Sequence, residues 1–455
     1  MVGGMTDLLP RSRPEDQGVP TAALARLVTA LDTIEHVHTV TVIRHGHVVL
    51  EATWAPYERN DPHAMYSVSK SFTSMAVGLA IHEGLLSLDD RVVDLIPDAA
   101  PATISQHLGA LTVRHLLTMS TGHAAEPDWS ASEDWARAIL AADLEFPPGT
   151  HWVYNTAATY LLSEIVQRRT GERLRDYLTP RLFAPLGIGT PWWLQSPTGT
   201  DAGGFGLMIR AEELAAFGQL LLQRGRWRGV QLIPAAWVDL ATSAQISNGD
   251  RASGRWDQQG YGFQFWRCPD GAYRGDGAFG QYVIVLPEQD AVVAITGGLP
   301  DMLQPPAAIW QQLLPAFDTV ETDVPLPEHL AIPLPGGQTR DTGVEFAYEG
   351  GPIVRLKIGR GSLALNGIEL ACSPDEWSVG ELPMPEERDW YGDRVAVAGG
   401  WHGDRFVAQL RMIQDAVTFR LELSPTGELT ITRDVGFAGT DVWSGMPAVE
   451  PEPVV

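Results

Sequence analysis

The chain has 455 residues, and at about 150 residues per domain that length predicts two or three domains with an ample core. Hydrophobic residues make up 44% and charged residues 19%, which excludes disorder as a description of most of the chain. A formal charge of −24 repels a phosphate backbone, so nucleic acid is excluded as a partner.

The two cysteines, Cys268 and Cys372, lie far apart with no Cys or His at ligand spacing. Neither a disulfide framework nor a metal site is expected. Met1 to Pro10 holds no basic segment leading into an apolar run, and no stretch reaches the ~18 apolar residues of a membrane span. The expected location is the cytoplasm. Of the 32 basic residues only Lys70 and Lys357 are lysine. A genome rich in arginine codons accounts for that bias but not for the exceptions. Arginine stays protonated in any protein setting, whereas a buried lysine can lose its proton and act as a base, so Lys70 and Lys357 invite a chemical reading.

In chain order, His38 to Trp54 reads as a hairpin about an Arg44-His45-Gly46 turn. From Ser67 to Glu83 apolar residues recur at spacings of three and four, predicting a helix that stops at Gly84. Further helices fit Val113 to Met119, Ala157 to Arg169, Ala211 to Arg224 and Ala235 to Thr242. Strands return at Tyr261 to Trp266, Gln281 to Leu286 and Ala291 to Thr296. A hairpin first, helices in the middle and strands last predict a mixed α/β (α+β) domain whose antiparallel sheet is assembled from both ends.

The proline-rich stretch 321–337 reads as a linker after a first domain spanning 1–320. Beyond it, segments such as Phe406 to Arg411 and Val417 to Leu423 alternate with a period of two. That pattern predicts an antiparallel barrel or small sandwich over 338–446. The acidic, proline-rich tail 447–455 is expected to be disordered.

Chemistry concentrates at Ser67-Val68-Ser69-Lys70, at the head of the predicted helix. Residues three apart share a helix face, so the lysine amine can reach the serine hydroxyl and take its proton once burial holds the amine neutral. A first companion is Tyr154-Asn155-Thr156, where a phenol can relay the proton and a neighbouring amide or hydroxyl can orient substrate. A second is Arg274-Gly275-Asp276-Gly277-Ala278-Phe279-Gly280-Gln281, whose glycines let a substrate approach a strand edge and an oxyanion donor. Tyr66, Trp129, Trp152 and Phe279 are candidates for an apolar pocket wall. His123 can face the same cleft, although a hydrogen-bonded structural histidine is the stronger expectation.

Together these motifs resemble the penicillin-recognising serine hydrolases, the class C β-lactamases and D-alanyl-D-alanine carboxypeptidases with their esterase and amidase relatives. The resemblance runs from Arg13 to Pro315, with support in Tyr66 to Asp94, Leu116 to Gly122 and Tyr282 to Gly298. It implies Ser67 as nucleophile, Lys70 and Tyr154 as the proton-moving pair, and the N–H groups of Ser67 and Ala278 as oxyanion hole. Asn155, Thr156, Arg274, Asp276, Gly277, Phe279, Trp152 and His123 are then the expected substrate contacts. No cofactor is implied. Two departures stand out. Thr156 occupies the position where the family's tyrosine motif ends in asparagine, and Gly275-Asp276-Gly277 stands where many members place Lys-Thr-Gly or His-x-Gly. An aspartate there repels a substrate carboxylate unless Arg274 replaces the charge. The region Gly343 to Thr440 resembles the lipocalin-like barrel that follows this hydrolase domain in some bacterial relatives.

The expected activity is cleavage of an ester or amide in a small molecule or peptide through a Ser67 acyl-enzyme. Transfer of the acyl group to an amine, including peptide cyclisation, is the alternative. A true β-lactamase and a sensor acylated once are the readings behind it.

Overall fold

The computed structural model describes residues 7–249, 256–322, 324–327, 329–341, 343–383, 392–436, 440–448 and 452–454. At the centre of the first domain is a six-stranded antiparallel sheet. Its order is His47–Thr53, Val37–Arg44, Ala291–Gly297, Gln281–Leu286, Tyr273–Gly277 and Trp266–Arg267. The N-terminal hairpin thus pairs directly with the last strand of the domain. Its turn, His45 and Gly46, takes φ of 50° and 76°, which matches the twist of the flanking strands.

Both faces of this sheet are covered. Along Gln281–Leu286, Tyr282, Ile284 and Leu286 point into a core shared with the Thr21–Asp32 helix. Val283 and Val285 point the other way, against a helical lobe that includes Ser69–His82, Thr156–Thr170 and Ala211–Leu222. Burial on two sides explains why the strand reads as a continuous apolar run rather than an alternating one.

The predicted strand Tyr261 to Trp266 is a tight turn instead. Gly262 N–H donates to the Phe265 carbonyl at 2.8 Å, and Gln264 sits at φ 68° with its amide donating to the Leu116 and Leu117 carbonyls. A long-range polar anchor outweighs the local preference of the aromatic residues for extended backbone. Conversely, the glycine-rich Tyr273–Gly277 is a strand, paired on both sides.

The proline-rich segment lies against the first domain. Ile332 is 4% exposed in the core beside the Thr21–Asp32 helix, and Ala55 exchanges backbone hydrogen bonds with Leu330 and Ile332.

The C-terminal region is antiparallel but carries no closed barrel among the described residues. One five-stranded sheet is ordered Ile368–Ala371, Ser362–Leu365, Arg355–Gly359, Gly343–Ala347 and Glu452–Val454. One six-stranded sheet runs from Ser378–Glu381 through Arg394–His402, Arg405–Met412, Thr418–Leu423 and Leu429–Arg433 to Asp441–Gly445. Their inner faces share one core, with Leu356, Ile358 and Leu363 among the residues from the first and Val397, Leu410 and Leu421 among those from the second. Period-two alternation is common to barrels and sandwiches, so the pattern alone could not separate them. Glu452–Val454, expected within a disordered tail, pairs with Gly343–Ala347, while 449–451 and 455 lie outside the described residues.

The turn between Arg405–Met412 and Thr418–Leu423 enters the first domain. Ile413, Asp415, Ala416 and Val417 are buried, Ala64 N–H donates to the Gln414 carbonyl at 2.8 Å, and Arg394 pairs with Asp61. No helix among the described residues is long and apolar enough to cross a membrane.

Candidate active site

Ser67 lies in a single 3-10 turn, Tyr66–Val68, immediately before the Ser69–His82 helix. The Ser69 hydroxyl fixes that turn by donating to the Tyr66 carbonyl at 2.6 Å while accepting from Leu207 N–H at 3.2 Å. Ser67 is half-buried and Lys70, one turn on, is 1% exposed. Lys70 Nζ is 2.8 Å from Ser67 Oγ and 2.9 Å from the Gly204 carbonyl. Gly204 is close enough for this because it lacks a side chain: a Cβ there would stand 2.7 Å from Thr156 Cγ2.

Burial pushes the Lys70 ammonium down to about 7, against a smaller upward pull from the Glu126 and Asp276 carboxylates. Near neutrality a large fraction of Lys70 is therefore a free amine, able to accept the Ser67 proton. The Tyr154 ring centroid lies 4.9 Å from Nζ. That ring stacks on Trp266 at 5.5 Å, and Trp152 meets Tyr261 and Trp266 edge-on, both at 5.5 Å. The structure thus brings Ser67, Lys70 and Tyr154 together.

The neighbouring residues divide. Asn155 is fully buried, caps the Thr156–Thr170 helix by accepting from Ala158 N–H at 3.3 Å, and turns its amide nitrogen to His123 Nδ1 at 3.2 Å. His123 is 4% exposed and also bonded to the Thr121 hydroxyl at 2.8 Å; burial lowers its pKa. These two side chains brace the Tyr154 loop from behind. Thr156 is half-buried, and its N–H donates to Glu126 Oε1 at 2.8 Å. Trp129 is 6% exposed and packs on Trp135 at 4.7 Å, in the core rather than on a pocket wall.

Arg274 does not swing into the cleft. It is buried, with Nε donating to Asp276 at 2.8 Å, Nη2 to Asp257 at 2.6 Å and Nη1 to the Trp256 carbonyl at 2.9 Å. Two carboxylates therefore engage one guanidinium, which leaves it no charge to offer a substrate. Burial raises the Asp276 pKa, opposed by Arg274. Gly277 packs where a Cβ would stand 2.4 Å from the Met65 carbonyl, two residues ahead of Ser67. Ala278 and Phe279 follow, both half-buried, and Tyr66 meets the Phe279 ring edge-on at 5.2 Å.

Sequence reasoning missed four members of this neighbourhood: Gly204, Glu126, Asp257 and Asp415. Each arrives through tertiary packing, and none carries a local spacing signal. Among the described residues no group of three His, Cys, Asp or Glu side chains is placed to hold a metal.

This fold and this constellation define a serine-hydrolase-like scaffold of the penicillin-recognising superfamily, and the Beta-lactamase family model matches residues 11–310. The chain belongs to that family. It is 25% identical over 328 residues to the 6-aminohexanoate-dimer hydrolase of Paenarthrobacter ureafaciens, covering 65% of this chain and 83% of that protein. It is 27% identical over 158 residues to the Monacolin J acid methylbutanoyltransferase of Aspergillus terreus, covering 29% of this chain and only 38% of that one. The octameric penicillin-binding protein homologue from Pyrococcus abyssi superposes with a TM-score of 0.53 at 15% identity, over 90% of this chain and 97% of its own. The resemblance in fold therefore reaches beyond the first domain.

Proposed function

We propose that this protein is a serine hydrolase that cleaves an ester or amide through an acyl-enzyme at Ser67. One observation carries the reading: a buried lysine amine with its pKa near 7 lies 2.8 Å from a serine hydroxyl at the head of a helix. Lys70 takes the Ser67 proton as Oγ attacks the carbonyl carbon. The N–H groups of Ser67 and Ala278 receive the developing oxyanion, assisted by the positive end of the helix. Collapse breaks the bond to the leaving group, which receives its proton from Lys70 by way of Tyr154. A water activated by the same pair then attacks the acyl-enzyme and frees the acid. Asn155 and His123 hold the Tyr154 loop, while Thr156, Trp152 and Phe279 flank the substrate.

The substrate class follows from charge. With Arg274 held by two carboxylates and Asp276 beside Lys70, a neutral or amine-bearing acyl donor suits the cleft, and a free carboxylate does not. That weighs against a penicillin as the natural substrate. Acyl transfer to an amine is the second reading, supported by the methylbutanoyltransferase relative, and it shares the first half of the reaction.

Incubation with a fluorophosphonate tests the proposal. Ser67 should carry the label and Ser67→Ala should carry none; a fully labelled Ser67→Ala protein contradicts it. Supplying a peptidyl thioester and weighing the product separates the two readings, because hydrolysis adds water and cyclisation does not.

A further inference from the structure

The residue before the candidate nucleophile is held by the other domain. Tyr66 takes φ of 46°, a left-handed conformation that is strained for a bulky residue. Its hydroxyl donates to Asp415 Oδ1 at 2.7 Å, across 349 positions of sequence. The same oxygen accepts Val417 N–H at 3.1 Å, while Asp415 Oδ2 has no partner. Asp415 is fully buried at the tip of the C-terminal hairpin that enters the first domain.

A half-satisfied buried carboxyl group is a poor device for stability, since an apolar residue of similar size would carry no desolvation cost. Its placement has a geometric consequence instead. The Tyr66 ring that Asp415 fixes is bonded through the main chain to Ser67 on one side and meets Phe279, the neighbour of Ala278, on the other. One contact therefore braces both flanks of the candidate centre.

We propose that Asp415 is a positioning residue supplied by the C-terminal domain, holding Tyr66 so that the Ser67 hydroxyl and the Ala278 N–H keep the spacing acylation requires. The inference rests on the Ser67 acyl-enzyme reading. Burial lifts the Asp415 carboxyl to about 7, so near neutrality it is in good part the uncharged acid, a state that asparagine imitates.

The test uses the full chain as wild type, Tyr66→Phe, Asp415→Ala, the double variant and Asp415→Asn. Each is assayed for steady-state hydrolysis of a p-nitrophenyl ester and for the rate of fluorophosphonate labelling, with folding followed by circular dichroism. Tyr66→Phe and Asp415→Ala should each lower kcat and the labelling rate about tenfold with KM changed less than about twofold, as for a misplaced catalytic group. The double variant should be no slower than the slower single, because both remove one contact. Asp415→Asn should recover the rate to within about threefold of wild type, since its carboxamide oxygen still accepts the phenol proton. If Asp415→Ala does not fold, Tyr66→Phe and Asp415→Asn decide. Folded variants with wild-type labelling and a lower melting temperature, or strictly additive losses, overturn the inference while leaving Ser67 labelling intact. A wild-type protein that takes no label at Ser67 overturns the underlying reading, and the inference with it.

Discussion

Arg274 donates its Nε to Asp276 at 2.8 Å and its Nη2 to Asp257 at 2.6 Å, so the cation of the glycine-rich Arg274–Gln281 segment is neutralised from within the chain. An incoming carboxylate meets Asp276 instead of a positive charge. We predict that an ester substrate bearing a free carboxylate near its scissile carbonyl shows kcat/KM at least about tenfold below that of its methylated, neutral counterpart. Asp276→Asn should narrow the gap. Equal kcat/KM values for the pair in the wild-type protein would remove the charge argument.

The pH dependence of acylation follows from Lys70. In the proposed mechanism the reactive form is the free amine, so the labelling rate of Ser67 should rise with pH through about 7 and level off above it. Glu126 and Asp276 both pull the Lys70 value upward. Glu126→Gln and Asp276→Asn should each move the acid limb to lower pH. A limb that stays in place in both variants would show that these carboxylates do not act on the lysine.

The same group makes stability depend on pH. Folded Lys70 releases its proton near 7, whereas an unfolded lysine keeps it to about 10.4. Between those values the unfolded chain binds more protons, so the penalty this group places on folding is full below about 7 and is relieved progressively as pH rises toward about 10.4. Lys70→Met should therefore abolish labelling yet be more stable than wild type, by on the order of 2 kcal/mol, with a larger margin near pH 6 than near pH 9. Calorimetry at the two pH values measures the margin, and a margin that does not change with pH contradicts a depressed Lys70.

Gly277 faces the Met65 carbonyl with no room for a methyl group. Gly277→Ala must push the Tyr273–Gly277 strand away from the turn that carries Ser67. A displacement near 1 Å at a reacting centre costs about a hundredfold in rate, and we predict a loss of that order in labelling with the protein still folded. Wild-type labelling in Gly277→Ala would separate this strand from the site.

The parts of the fold that were legible from residues alone are those governed by local pattern. The hairpin at Val37–Arg44 and His47–Thr53, the Ala235–Thr242 helix and the Gln281–Leu286 strand stand where turn chemistry and apolar spacing put them. The Ser67–Lys70 pairing was legible for the same reason, being a helix-spacing argument. What was hidden depends on partners far away in sequence. Tyr261 to Trp266 reads as a strand until Gln264 is seen bonded to Leu116 and Leu117, and the glycine-rich Tyr273–Gly277 carries no strand pattern of its own and is a strand through its two neighbours. Arg274 looked free to meet a substrate because Asp257 is 17 positions away. Whether alternating strands close into a barrel or pack as two sheets is set by the pairing of edges, which no single strand encodes.

The central claim is that the amine beside Ser67 is largely uncharged at neutral pH, and the scarcity of lysine makes it directly measurable. Protein labelled with 13C at lysine Cε contains only Lys70 and Lys357, and Lys70→Met identifies which signal belongs to the site. We predict that the Lys70 signal titrates near 7. A Lys70 signal that titrates at about 10, the value of an ordinary solvated lysine, would contradict the account.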